Sequence, residues 1–232
     1  MSELRDNYEQ VKERIADAAS RSGRDPSSVM LVAVTKYASD KQVRELLGLG
    51  HRDLGENRVK QLSERVKEMS VDTPDEPIRW HMVGHLQRNK VKSLLGKVRL
   101  IHSVDTLKLA EQIHRDADGE PVDVLVQVNP SGEASKSGLM PPAVPHVIEQ
   151  MHTLGNLRIR GLMTMAPHAA DPEMTRPVFA QTSDLFHECR DNQVAGDQFN
   201  ILSMGMTNDF EVAIEEGANL VRIGSALFGA PD

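Results

Sequence analysis

"VMLVAVTKYASDKQVRELLGLGHRDLGE", residues 29–56, holds one complete strand–helix–strand unit. Residues 29–35 read as a strand, and its apolar centre, Met30 to Val34, is continuous rather than alternating, as in a strand covered on both faces. Ser39-Asp40-Lys41-Gln42 then fits a capping box, with Ser39 as N-cap and Gln42 at the third helical position. Val43, Leu46 and Leu47 continue that helix along one face, and "RDLGE" (52–56) is a second short strand. One feature of the first strand is chemically awkward: it delivers Lys36, a charge, at its end.

The unit repeats along the chain. A helix over 3–22, with Leu4, Tyr8, Val11, Ile15 and Ala18 at spacings of three and four, precedes it. After "RDLGE" a helix is expected over about 57–69. Further strands follow at "IRWHMVG" (78–84), "RLIHSV" (99–104), "VDVLVQVN" (122–129), "LRIRGLMTM" (157–165), "QFNILSM" (198–204) and "NLVRIG" (219–224). Helical patterns separate them: one through Val91, Leu94 and Leu95, one over 106–116 capped by Asp105, one near 142–152, one over about 172–190, one from near Asn208, and a last short one at "SALFG" (225–229). Eight strands, each followed by a helix, imply a parallel sheet and a (β/α)8 barrel with one extra N-terminal helix. An open doubly wound sheet is the runner-up, but no GxGxxG follows the first strand. Nothing in the composition marks a linker, so residues 1–232 are expected to form one domain.

Bulk properties narrow the function classes. Of 232 residues, 39% are hydrophobic and 26% charged, and the net charge is −7. That balance gives no general attraction to nucleic acid or anionic membranes. The basic cluster Arg88, Lys90, Lys92, Lys97 and Arg99 reads as a solvated helix face. A single cysteine, Cys189, excludes an internal disulfide and CxxC metal spacing, and no metal site is expected. The N-terminus does not resemble a signal or transit peptide, and no apolar stretch is long enough to span a bilayer. A cytoplasmic monomer is expected.

In a barrel, functional groups gather at the C-terminal strand ends. Here those ends carry Lys36, then Gly55-Glu56-Asn57, then His81 and Gly84-His85, and Asn129 with the loop "PSGEASKSG" (130–138). The loops after strands seven and eight are where this fold holds phosphate. Ser203, Gly205 and Thr207 in the first, and Gly224 and Ser225 in the second, supply hydroxyls and close backbone approach. Either loop alone reads more readily as a turn; both together favour a phosphate. On strand eight, Val221 and Ile223 alternate with Leu220, Arg222 and Gly224, which points Arg222 into the barrel. A buried arginine needs a partner: an ion pair with Glu56 or Asp53, a phosphate, or a heteroaromatic nitrogen. Lys36 is nucleophilic only when deprotonated, from an ordinary pKa of about 10.4, and partial burial and a cationic neighbour favour the neutral amine. Pyridoxal phosphate on a Schiff base and a phosphosugar in a Schiff-base aldolase both fit.

The motifs "VAVTKYAS", "LGENRVKQ", "WHMVGHLQRNKVK", "SVDTLKLAEQI", "VQVNPSGEASKSGL", "IRGLMTMAP", "LSMGMTNDFEVAI" and "LVRIGSALFG" resemble, in order, those of the pyridoxal phosphate homeostasis proteins, a family related to the barrel domain of alanine racemase. The matches run from about residue 29 to residue 229. Arg58 and Lys60 depart from the tyrosine and glutamine expected after "GEN", and Pro130 from a threonine. The resemblance implies that Lys36 is the Schiff-base lysine, that Ser203, Gly224 and Ser225 belong to the phosphate site, that Arg222 lies near the pyridine nitrogen, and that Asn57 and His81 line the pocket. An arginine there donates a hydrogen bond without yielding a proton, leaving the cofactor a weak electron sink. Neither tyrosine, Tyr8 or Tyr37, reads as a second acid/base opposite the lysine, and the sequence ends soon after strand eight. The resulting expectation is a pyridoxal 5'-phosphate-binding protein of intracellular vitamin B6 homeostasis with little or no turnover. A pyridoxal phosphate-dependent amino-acid racemase is the alternative, and a cofactor-free aldolase a third reading.

Overall fold

Strands β1 (Met30–Val34) and β8 (Leu220–Ile223) pair in parallel, with Val32 opposite Arg222, and this contact closes the sheet. The computed structural model describes residues 2–69, 77–133 and 137–229. Between the closing strands run β2 (Asp53–Glu56), β3 (Arg79–Met82), β4 (Leu100–Val104), β5 (Val122–Val128), β6 (Leu157–Thr164) and β7 (Ile201–Ser203), each parallel to its neighbours in chain order. The expected (β/α)8 barrel is therefore the fold. Val32, Leu100, Leu125, Met163 and Leu220 fill its lumen. The other apolar side chains of the strands pack outward against the helices in one continuous core.

Helices α1 (Glu3–Arg21), α2 (Asp40–Gly48), α3 (Val59–Met69), α4 (Val91–Leu94), α5 (Leu107–Asp116), α6 (Val144–His152), α7 (Arg176–Asp191), α8 (Phe210–Glu215) and α9 (Ser225–Phe228) surround the barrel. The extra helix, α1, packs on α8, α9 and α2, covering the seam where β8 meets β1. Arg14 holds Glu211 at 2.8 Å and the Asn7 amide donates to the Leu227 carbonyl at 3.2 Å across that seam. The Ser39–Gln42 capping box forms as the sequence implies. Several boundaries differ from expectation. Thr106, not Asp105, caps α5, because its hydroxyl reaches the Leu109 N–H while Asp105 faces His85 at 3.4 Å. Two expected helices are shortened at their N-termini by single turns of 3-10 helix at Pro141–Ala143 and Pro172–Thr175, each opened by proline, and a similar turn at Arg88–Lys90 leads into α4. Residues 134–136 of the 130–138 loop lie outside the described residues. Among the described residues, no helix is long and apolar enough to cross a membrane, and no group of three or more His, Cys, Asp or Glu is placed to hold a metal ion.

The β5–β6 ladder contains a register shift between Val124 and Leu125. Gly161 lies opposite, at φ +148°, and a Cβ there would sit 1.8 Å from the Ile201 carbonyl oxygen of β7. Glycine is required both by the backbone and by the neighbouring strand. Replacing it with alanine (G161A) is expected to lower unfolding free energy by about 2–4 kcal/mol in a urea titration.

At the N-terminal rim, Asp53 receives Arg79 Nε at 2.8 Å and Nη2 at 2.6 Å, and lies 3.2 Å from His81 Nε2. Burial alone would raise the Asp53 carboxyl, but the Arg79 and His81 hydrogen bonds outweigh it and hold the group well below the usual carboxylate range. A carboxyl depressed by folding contributes stability above its unfolded pKa, and the contribution is lost as pH falls below that value. Between about pH 5 and pH 2, unfolding free energy should fall less steeply in Asp53→Asn than in the unsubstituted chain.

Candidate functional site

A cavity of about 680 Å³ opens at the C-terminal mouth of the barrel. Lys36, Asn57, Arg222, Gly224 and Ser225 all line it, although they come from three separate parts of the chain. Thr207, Asn208 and Asp209 of the loop after β7, Gln127 of β5, His85 and His168 complete much of the wall.

Lys36 stands on a tight turn directly after β1, where Ala38 N–H closes onto the Thr35 carbonyl at 2.9 Å. Its side chain is half-buried, with Nζ 4.8 Å from the Tyr37 ring centre. Two side chains hold the turn from outside the barrel, through three hydrogen bonds. Arg65 of α3 donates to the carbonyls of Thr35 and Ala38, and Gln61 Nε2 donates to the Lys36 carbonyl at 2.8 Å. Arg65 is paired in turn with Glu56 at 2.9 Å and Asp40 at 3.2 Å, and the Thr35 hydroxyl donates to the same Glu56 oxygen at 2.5 Å. Burial raises the Glu56 carboxyl, offset only in part by Thr35 and Arg65. A charged pair taken out of water is expensive to break from one side, because the partner remains buried and uncompensated. Glycine shapes the adjoining wall: a Cβ on Gly84 would lie 2.2 Å from the Asn57 carbonyl oxygen, so only glycine lets the two segments meet. Asn57 lines the cavity, and its Oδ1 is buried with no hydrogen-bond partner among the described residues.

Across the mouth, two loops meet. The Ser225 hydroxyl donates to Thr207 Oγ1 at 3.2 Å and the Ala226 N–H donates to the same oxygen at 3.3 Å. Gly205, at φ +93°, has Phe210 Cα 2.8 Å from where a Cβ would sit, which packs the loop tightly onto α8. Asp209 accepts the Met206 N–H at 2.6 Å; burial raises its carboxyl, while that bond and the nearby Arg222 oppose the rise.

Arg222 points inward, as strand alternation implies, and is 4% exposed. Its partners are not the acids considered from the sequence. Glu56 is taken by Arg65, and Asp53 by Arg79 and His81. Instead Arg222 Nη1 donates to Ser203 Oγ at 2.6 Å and Nη2 to the Thr164 carbonyl at 2.8 Å. Burial pushes its pKa down to about 10, which leaves it cationic at neutral pH.

Two expected site residues occupy a different place. Ser203 is fully buried, its hydroxyl engaged by Arg222 and lying 3.0 Å from His102 Nδ1, and it is absent from the cavity wall. His81 is likewise buried in the lumen, between Asp53 and His102, rather than lining the cavity. Both side chains point down the barrel from the level where the cavity begins. Asn129 folds its own loop by donating to the Glu133 carbonyl at 3.0 Å. Met163 and Met204 are core residues, whereas Met165 and Met206 stand exposed on the cavity rim. Gln127 and His168 gave no readable signal in the sequence, since a strand-interior glutamine and a loop histidine are common anywhere. Cys189 is buried, and burial pushes its thiol up to about 11, which suits a packing role.

Substituting Arg65→Met should cost about 3–5 kcal/mol of unfolding free energy, because the buried Glu56 loses its cationic partner. Adding Glu56→Gln should recover a clear part of the loss, measured by denaturant titration of both variants.

Residues 1–232 match the family model for the alanine racemase N-terminal domain. A pyridoxal phosphate homeostasis protein of Pseudomonas aeruginosa is 40% identical, over 100% of this chain and 97% of its own length. That of Aquifex aeolicus is 41% identical over 94% of each chain. Among solved structures, PipY of Synechococcus elongatus with PLP bound superposes with a TM-score of 0.79 at 33% identity, covering 93% of this chain and all of that one. An alanine racemase of Clostridium difficile shares the fold at 19% identity and a TM-score of 0.68, with this chain covering 55% of it. Matched from end to end at these identities, the chain belongs to the pyridoxal phosphate homeostasis protein family, within the wider group built on the alanine racemase N-terminal domain.

Proposed function

We propose that this chain binds pyridoxal 5'-phosphate in the cavity at the barrel mouth, with Lys36 as the attachment point, and serves intracellular vitamin B6 homeostasis. The single observation that carries the reading is that Lys36, Arg222 and the paired Thr207/Ser225 loops converge on one cavity. The donor set suits such a ligand. It offers an amine for an aldehyde, hydroxyls and closely approached backbone at Thr207, Gly224 and Ser225 for a phosphate, and a cationic donor for a ring nitrogen. When bound, the cofactor supplies an aldehyde that condenses with a primary amine with loss of water.

The chain's own residues then divide the work. Arg65 and Gln61 hold the Lys36 turn so that the amine is presented from a fixed backbone. Gly224 brings its backbone close without a side chain, and Ser225 and Thr207 orient each other's hydroxyls. Arg222 donates and does not release its proton at neutral pH, so a ring nitrogen opposite it is kept as an acceptor. Asn57 lines the same space. His81 and Ser203 act from beneath the cavity. Tyr37 borders the cavity but belongs to the same turn as Lys36, so it is not an acid/base on the opposite side from the lysine. This favours binding and release over racemisation.

The test is direct. With added pyridoxal phosphate the protein should develop a visible absorbance band, and borohydride should fix the cofactor on the peptide containing Lys36; Lys36→Ala should show neither. A protein that stays colourless, or an adduct mapped to other lysines with Lys36 unmodified, contradicts the proposal. Incubation with L-alanine in deuterated water should give no more than trace exchange at the α-hydrogen, whereas sustained exchange would favour the racemase reading.

A further inference from the structure

Below the cavity a line of polar groups crosses the barrel lumen. Arg222 on β8 contacts Ser203 on β7 at 2.6 Å. Ser203 lies 3.0 Å from His102 Nδ1 on β4, a contact spanning 101 residues of chain. His102 Nε2 lies 2.9 Å from His81 Nδ1 on β3, with the ring planes at 60°. His81 Nε2 lies 3.2 Å from Asp53 at the start of β2, and Asp53 is closed off by Arg79. All five residues from Arg222 to Asp53 are buried among Val32, Leu100, Leu125, Met163 and Leu220. Polar groups in an apolar lumen must satisfy one another, and an unsatisfied link costs more than the bond contributes.

With both imidazoles neutral, donor–acceptor accounting leaves one direction for this line. Arg222 can only donate, so Ser203 Oγ accepts from it. The serine hydrogen is then free for His102 Nδ1. His102 is neutral, since burial, with the nearby Arg222 adding, lowers its pKa well below the ordinary value. With Nδ1 accepting, its hydrogen sits on Nε2 and goes to His81 Nδ1. His81 accordingly carries its hydrogen on Nε2 and donates to Asp53. Reversing His102 would leave a neutral His81 with a lone pair facing the Asp53 carboxylate, and only an imidazolium at His81 would satisfy that arrangement.

We propose that Ser203, His102, His81 and Asp53 are positioning residues for Arg222: a one-way hydrogen-bond chain that fixes the guanidinium as a pure donor toward the cavity floor and thereby selects ligands presenting an unprotonated acceptor nitrogen there. The chain's existence is independent of the ligand; its role in ligand selection rests on the pyridoxal phosphate reading above. It explains why two histidines and a serine that do not reach the cavity lie in line with it.

Imidazole and guanidinium nitrogens, followed by 15N NMR on the ligand-free full chain, test the line without any cofactor. At neutral pH both His81 and His102 should be Nε2–H tautomers, and the Arg222 Nη–H signals should be separately resolved and slow to exchange. Three variants separate positioning from packing: Ser203→Ala, His102→Leu, and His102→Gln, whose amide can accept from Ser203 and donate to His81. Circular dichroism checks the fold of each. The Arg222 signals should collapse in S203A and H102L and persist in H102Q. In parallel, the pyridoxal phosphate dissociation constant should rise about tenfold in S203A and H102L and change by less than about threefold in H102Q. An Nδ1–H tautomer at His102 overturns the proposal, as do unchanged Arg222 signals and affinity in S203A. If H102L does not fold, S203A and H102Q decide. If the unsubstituted chain fails to bind pyridoxal phosphate, the functional reading falls, while the tautomers and Arg222 signals still decide the chain of bonds.

Discussion

The structure turns on one constraint: a guanidinium has been placed inside a closed barrel. Arg222 sits one strand step above Leu220, which belongs to the apolar filling of the lumen. A cation at that depth is tolerable only if oxygen atoms face it, and among the described residues no carboxylate forms an ion pair with it. Ser203 and the Thr164 carbonyl supply the oxygens. Ser203 then needs an acceptor, which brings in His102, and so on to Asp53 at the opposite rim. The polar line and the apolar filling share the lumen, and the barrel's interior is organised by that division.

The amine is held by a second, separate device on the outside. Arg65 reaches from α3 to the two carbonyls flanking Lys36 and is itself fixed by Glu56 and Asp40. One cation is thus mounted from within the barrel and the other from its outer layer, and they meet in one cavity. This arrangement places stiff backbone behind each functional group. It leaves mobility to the rim, where exposed Tyr37, Met165 and Met206 surround the opening.

Much of this was legible in the sequence. The eight-fold alternation, the capping box at Ser39 and the inward side of Arg222 all follow from local periodicity, which a barrel does not override. The two glycine- and serine-rich loops after the last strands could be read because the fold puts them together. What was not legible depends on closure. Ser203 looked like a phosphate ligand because it ends a strand at the expected loop, but its rotation toward Arg222 and His102 is decided by β4 lying across the lumen from β7. His81 looked like a lining residue for the same reason, while its true neighbours, Asp53 and His102, lie one strand to each side. Local competition moved the boundaries: Thr106 offers a hydroxyl to α5 while Asp105 turns to His85.

If the site is prebuilt, the cofactor should enter it without rearranging it. The most direct measurement is a high-resolution crystal structure of the chain loaded with pyridoxal phosphate, beside one without it. We expect electron density continuous from Lys36 Nζ to the ligand, phosphate between the Thr207 and Ser225 loops, and Arg222 and the 35–38 turn displaced by no more than about 0.5 Å, as a preorganised site requires. Phosphate bound elsewhere, or an Arg222 that leaves Ser203 to meet the ligand, would contradict the account.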